Sequence, residues 1–247
     1  MTKTILVTGA TDGIGLLTAQ KLAAAGHSVL LHGRSEEKLA IAAAKVGGAS
    51  GTYRADLSKM DDVKALAIAS LADHETLDVL INNAGVLKAS HARTDAGRDI
   101  RFDVNTVAPY VLTRALLPIM PSDGRVVNLS SAAQASVDVA AMTSFRQMGD
   151  MDAYAQSKLA ITIWSAEMAK GLPDGPGVVS GNPGSLLASK MVKEGFGVAG
   201  NDLSIGADIL VAAATAPWGR EQSPTRVRGD VGTEGNHRAM KNWTRTG

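Results

Sequence analysis

Short apolar runs alternate with longer helix-like runs along most of this chain, and that alternation limits the fold more than any other property. The strand-like runs fall at residues 4–8, 28–32, 52–54, 77–82, 124–130 and 177–181. Helix-like runs lie between them at 14–25, 36–46, 59–73 and 94–120, with another from about 152 to 171 and a last at 202–214. Gly26 stands where a C′ residue closes the first helix, and Ser35 where an N-cap opens the second. Strands joined by helices of ten residues or more build βαβ units, hence a mostly parallel sheet with helices on both faces. The expectation is a doubly wound α/β fold.

With 247 residues, no internal repeat and no Pro/Ser-rich linker, the chain fits one such unit. We divide it into a domain at 1–217 and a tail at 218–247, whose Arg, Gly, Thr, Glu and Asn carry no hydrophobic period and suggest loop or partial disorder. Lys+Arg 25 against Asp+Glu 24 leaves no basic tract for nucleic acid or an anionic membrane. Cysteine is absent, which removes disulfides, thiol nucleophiles and Cys-ligated metal, and no metal site is expected. No apolar run reaches the roughly 18 residues of a membrane span. The first residues run directly into a strand without a signal-peptide core, so a cytoplasmic setting is expected.

Two stretches carry chemistry. The first is Thr8-Gly9-Ala10-Thr11-Asp12-Gly13-Ile14-Gly15, which follows the first strand and opens the first helix. Glycines there let the backbone approach a pyrophosphate, and free N–H groups at the helix start meet its charge. No Lys-Ser/Thr closes the turn, so it is not a Walker-type loop. The second is the helix that holds Tyr154 and Lys158 four residues apart, stacked on one face. A lysine beside a phenol favours the phenolate, so the tyrosine pKa is expected to fall from ~10 toward working pH. Such a phenol serves as general acid or base toward an alcohol or carbonyl. Asn105 adds a third element: Pro109 has no N–H, so the Asn105 carbonyl loses its helical partner and is free to hold a water.

Taken together, Thr8-Gly9-x-x-x-Gly13-x-Gly15, Asn82-Asn83-Ala84-Gly85, Asn105, Ser131, Tyr154-x-x-x-Lys158 and Pro183-Gly184 stand in the order found in short-chain dehydrogenases/reductases. The resemblance covers roughly residues 4–215 and extends to retinol-dehydrogenase-like bacterial members. It implies a single-domain Rossmann-type sheet, nicotinamide binding and hydride transfer between an alcohol and a carbonyl. By resemblance, Tyr154 exchanges the proton with the substrate oxygen, Lys158 lowers its pKa and binds the nicotinamide ribose, and Ser131 holds the substrate oxygen. Asn105 would link a water to the lysine as a proton relay. The neighbouring Ser130 would cap the strand end.

The same resemblance assigns the cofactor contacts to the turn residues Gly9, Thr11, Asp12, Gly13, Ile14 and Gly15, to Asp56-Leu57 at the adenine, to Asn83-Ala84-Gly85, to Tyr154 and Lys158, and to Pro183-Gly184. In dinucleotide sites a carboxylate ending the second strand selects NAD, and an arginine accommodates the extra phosphate of NADP. This strand ends Leu30-Leu31-His32-Gly33-Arg34-Ser35, with Arg34 and no carboxylate. NADP(H) is therefore expected over NAD(H).

The chain also departs from the family pattern. The interval between Ser131 and Tyr154 is long, and its residues 135–152 carry Val137, Val139, Met142, Phe145 and Met148. Retinol-dehydrogenase-like members have similar insertions; here the segment is a rim of the substrate pocket or a surface excursion. Residues 186–201 match the family's mobile substrate loop, with Met191, Val192, Phe196 and Val198 as an apolar lid and Gly195, Gly197 and Gly200 as hinges. Both segments favour an apolar alcohol or carbonyl substrate. No convincing strand-like run is found in the sequence after Pro217, where the family usually adds a last edge strand. The family's assembly, a homodimer or homotetramer, is the implied partner state. The rival reading is a catalytically idle NADP(H)-binding regulator on the same fold; Ser131, Tyr154 and Lys158 argue against it, because binding alone does not need them.

Overall fold

A computed structural model describes residues 1–184 and 201–217 of the chain. In chain order come β1 (Thr4–Val7), α1 (Gly13–Ala24), β2 (Ser28–Gly33), α2 (Glu36–Val46), β3 (Ala49–Arg54), α3 (Met60–Asp73) and β4 (Val79–Asn82). A short α4 (Ile100–Phe102), a π turn over Asp103–Val107 and α5 (Ala108–Leu116) lead to β5 (Arg125–Leu129). α6 (Asp150–Lys170), β6 (Gly177–Gly181) and α7 (Leu203–Thr215) complete the described elements. The strands pair in parallel in the order β3-β2-β1-β4-β5-β6. This is the doubly wound Rossmann-type sheet expected from the alternation.

Register explains why the strands read as unbroken apolar runs. Leu31, Val7, Ile81, Val127 and Val179 lie side by side across β2, β1, β4, β5 and β6. They pack with Ala19 and Leu22 of α1, Leu39 of α2 and Leu210 of α7. One residue earlier on each strand, Leu30, Leu6, Leu80, Val126 and Val178 form the opposite row, packed with Val63 and Leu66 of α3 and Leu112 and Leu116 of α5. Successive side chains point to opposite faces, and here both faces are covered. Each such aliphatic burial is worth about 1.5–3 kcal/mol.

Local signals behave as their chemistry dictates. Ser35 caps α2, its hydroxyl accepting from the Lys38 N–H at 3.3 Å, and Gly26 follows α1 at a φ of +85°. The third strand is longer than residues 52–54, because Ala49 to Gly51 also pair with β2; an edge strand containing glycine and serine shows no apolar run. The anticipated helix at 94–120 is broken. Residues 94–98 form a turn closed by a bridge between Arg93 and Asp99, and helix starts only at Ile100, where Asp99 caps the Arg101 N–H. Gly97, at a φ of +72°, cannot be helical. Pro109 enters α5 just behind the π turn, and Pro118 lies in a 3₁₀ turn at Leu117–Ile119. Residues 186–200 of the anticipated lid and the 218–247 tail, with any strand beyond Pro217, lie outside the described residues. No helix among the described residues is long and apolar enough to cross a membrane.

Candidate active site

Strand order reverses between β1 and β4, and at such a switch point the loops diverge and leave a crevice at the carboxyl ends. A cleft of about 670 Å³ opens there. One end is walled by the glycine turn after β1 and the loops after β2 and β3. The other is walled by the loops after β4, β5 and β6 together with the first turns of α6.

The glycine turn is built by close approach. A Cβ on Gly15 would stand 2.3 Å from the Gly9 carbonyl oxygen and 2.4 Å from Asn83 Nδ2. A Cβ on Gly9, whose φ is +65°, would stand 2.9 Å from the Ala84 Cα. Asn83 holds this contact: its Nδ2 donates to the Thr8 carbonyl at 2.8 Å and the Gly9 carbonyl at 3.1 Å. The Thr8 hydroxyl in turn accepts from the backbone N–H groups of Asn83 and Ala84. Thr11, Asp12, Gly13, Ile14 and Gly15 all line the cleft, and Asp12 caps α1 by accepting from the Gly13 N–H at 2.7 Å. Ala84 and Gly85 line the facing wall.

At the end of β2, Arg34 is exposed on the cleft wall. Lys38 lines the same wall one helical turn later, a second cation that reading the strand end alone does not reveal. Its position three residues after the N-cap Ser35 was the available signal. Asp56 also lines the cleft, but its Oδ1 is taken by the Ser58 N–H and hydroxyl at 3.0 and 2.8 Å. Leu57 beside it is buried and apolar. His32 is a further residue missed from sequence. Its ring is 1% exposed, and Nδ1 accepts from the Gly9 N–H at 3.2 Å. Nε2 faces the Ala55 carbonyl at 3.1 Å, so the neutral ring carries its proton on Nε2. Burial holds its pKa down at about 4.

At the other end stand Ser131, Tyr154 and Lys158. The two adjacent serines separate cleanly. Ser130 is buried and bonds the Lys158 carbonyl at 2.8 Å and the Thr162 hydroxyl at 2.7 Å, while Ser131 lines the cleft with Tyr154. Lys158 Nζ lies 5.6 Å from the centre of the Tyr154 ring and donates to the Leu129 carbonyl at 2.7 Å. The expected fall in the tyrosine pKa is corrected here. Burial raises it, with the neighbouring Ser131 hydroxyl acting the other way, because an ion is poorly solvated at this depth. Burial likewise lowers Lys158 to about 8. Asn105 Oδ1 accepts from the Val86 N–H at 2.8 Å, and its Nδ2 donates to the Val86 carbonyl at 2.9 Å and Ser157 Oγ at 3.0 Å. Asn105 thus stands behind the cleft wall, and its neighbour Val104 lines it. Pro183 and Gly184 line the cleft after β6.

Of the inserted segment, Asp138 N–H bonds Gln156 Oε1 at 2.9 Å, and the Phe145 N–H bonds the Gly97 carbonyl at 2.7 Å. Arg93 sits 5.8 Å from the centre of the Phe145 ring. The segment therefore packs across the start of α6 and the 93–99 turn, and the cleft lining passes from Ala133 to Tyr154 without it. Among the described residues, no group of three or more His, Asp or Glu side chains is placed to hold a metal ion.

An open parallel sheet with a glycine turn at its switch point and a Ser/Tyr/Lys group across the same cleft defines an α/β protein of the dinucleotide-fold class. The chain belongs to the short chain dehydrogenase family, whose model matches residues 3–197. It is similar to human retinol dehydrogenase 13, with 34% identity over 186 residues, 71% of this chain and 56% of that protein. The chain thus matches little more than half the length of that relative. Among solved structures, a metagenomic short-chain oxidoreductase in complex with NADP is 31% identical with a TM-score of 0.67, over 87% of this chain and 91% of that one. A short chain dehydrogenase from Burkholderia cenocepacia J2315, also in complex with NADP, is 25% identical with a TM-score of 0.70, over 86% and 91%.

Proposed function

We propose that this protein transfers a hydride between NADP(H) and an apolar alcohol or carbonyl compound, with Tyr154 as general acid/base. The observation that carries this reading is the juxtaposition of the Tyr154 phenol, the Ser131 hydroxyl and the Lys158 ammonium on one wall of the cleft that begins at the glycine turn. The cleft fits an extended dinucleotide. Side chains at Gly9 and Gly15 would fill the turn, and two cations, Arg34 and Lys38, stand beyond it. Those cations support the preference for the 2′-phosphate of NADP, since nothing acidic ends β2.

A bound nicotinamide supplies or accepts the hydride. The chain handles the proton. In reduction, the Tyr154 O–H donates to the substrate oxygen as it becomes an alkoxide, and Ser131 donates a second hydrogen bond to that oxygen. Burial keeps the phenol protonated, the form an acid needs. Lys158 lies close enough to stabilise the phenolate left behind. Pro109 supplies no N–H to the Asn105 carbonyl, and we assign that carbonyl to a water that returns the proton through Lys158. The reading also takes the family's homodimer or homotetramer as its working assembly.

The test is a panel of aldehydes and ketones followed by NADPH absorbance. Tyr154→Phe should bind NADPH as wild type does and lose roughly 10²–10⁴-fold in turnover. Turnover within a few-fold of wild type would remove Tyr154 from the mechanism. NADPH binding with no turnover in wild type would favour the regulator instead.

A further inference from the structure

Two bonded rungs join the loop after β4 to α6, and only one involves Asn105. The first runs from the backbone N–H and carbonyl of Val86 through the Asn105 amide to Ser157. The second begins at the next carbonyl, Leu87, which accepts from Arg101 Nη1 at 3.2 Å. The same guanidinium bonds the Asp150 carboxylate in the first turn of α6. Arg101 lies four residues before Asn105, so both rungs leave one side of the connecting helix. Asp150 and Ser157 lie seven residues apart, about two turns of α6, and the span between them contains Tyr154.

Charge balance does not explain the second rung. Arg101 and Asp99 are each 1% exposed and already form a forked pair, Nε to Oδ1 at 2.8 Å and Nη2 to Oδ2 at 2.7 Å. That pair is neutral. Asp150 is half exposed and favoured at a helix N-terminus without any partner. What the extra bond adds is mechanical: the Ser130 and Asn105 bonds hold the middle of α6 at Lys158 and Ser157, and the Asp150 bond ties its first turn to the loop after β4.

We propose that Arg101 and Asp150 are positioning residues that set the pitch of α6 against the loop after β4, and so aim Tyr154 at the substrate oxygen. The inference rests on the activity proposed above for Tyr154, and the test separates the two. Arg101 is a poor probe, because its loss leaves Asp99 buried without a partner. Asp150→Ala removes the bond and keeps the buried Arg101–Asp99 pair. It should lower kcat about tenfold while KM for NADPH and carbonyl stay within twofold, since misaiming an acid slows the chemical step without removing a binding contact. Asp150→Glu should restore most of kcat. A second arm needs no turnover: in the cofactor-free protein, amide hydrogen exchange across 150–158 should quicken about tenfold in Asp150→Ala and not in Asp150→Glu, with β1 and β4 unchanged. If wild type reduces no carbonyl, the proposed activity falls, while faster exchange still supports the clamp and unchanged exchange overturns it. If wild type is active, kcat within twofold of wild type in Asp150→Ala overturns the positioning role, whatever the exchange rates.

Discussion

Lowering the pH from 7 to 4 should loosen the glycine turn through one imidazole. The His32 ring accepts from the Gly9 N–H on Nδ1 and donates from Nε2 to the Ala55 carbonyl. A proton added to Nδ1 would point at the Gly9 N–H, donor against donor, and would place a charge where the ring is 1% exposed. The neutral form is therefore held down to a pKa of about 4, against 6.5 in an unfolded chain. Because the folded value is the lower one, the unfolded chain binds the extra proton first, and stability falls as the pH falls. The contribution is complete above about 6.5 and gone near 4. At about 1.4 kcal/mol per unit of pH, that gap removes roughly 3 kcal/mol. Asp56 and Arg34 act on the ring with opposite signs and leave burial dominant. Urea titrations at several pH values between 7 and 4 measure the loss. The His27 pKa is also lowered by burial, so the comparison is with His32→Asn, whose Oδ1 still meets the Gly9 N–H and does not titrate. The variant should be less stable at pH 7 and flatter in pH by about the amount calculated. Equal pH slopes in the two proteins would refute the argument.

Cofactor choice offers a simpler measurement. Arg34→Ala and Lys38→Ala should each weaken NADPH binding about tenfold and leave NADH unchanged, the cost of one charged hydrogen bond; equal affinity of wild type for both cofactors would remove the preference. The pH profile of kcat/KM for reduction should decline above about 8, where Lys158 loses its proton and its support of the phenolate, and a flat profile to pH 9.5 would place the decisive charge elsewhere.

Much of the architecture was legible because its signals are local. Residues 5–7 and 126–127 are apolar and buried on both faces, as a covered parallel strand requires. Glycine spacing after β1 marked the turn, and the Tyr154/Lys158 interval marked the wall opposite. What sequence missed depends on partners distant in the chain. His32 looks like an ordinary strand residue until Gly9 and Ala55 come together around it. Arg101 looks like a surface charge in a polar run, and the sheet alone brings Asp150 to it. Lysine beside tyrosine suggested a lowered phenol pKa, but depth, which spacing does not reveal, reversed the direction.

The contact between Gly15 and Asn83 carries a consequence for how the protein is made. Seventy-five residues separate Thr8 from the Asn83 N–H that its hydroxyl receives. The dinucleotide turn is thus a joint between the two halves of the sheet, β1–β3 and β4–β6, although its glycines all follow β1. On the ribosome, the first βαβ unit would emerge with those glycines in place and their carbonyls unclaimed. The turn reaches its working shape only when β4 enters the sheet and delivers the asparagine amide. Cofactor binding thereby becomes a report that the halves have joined.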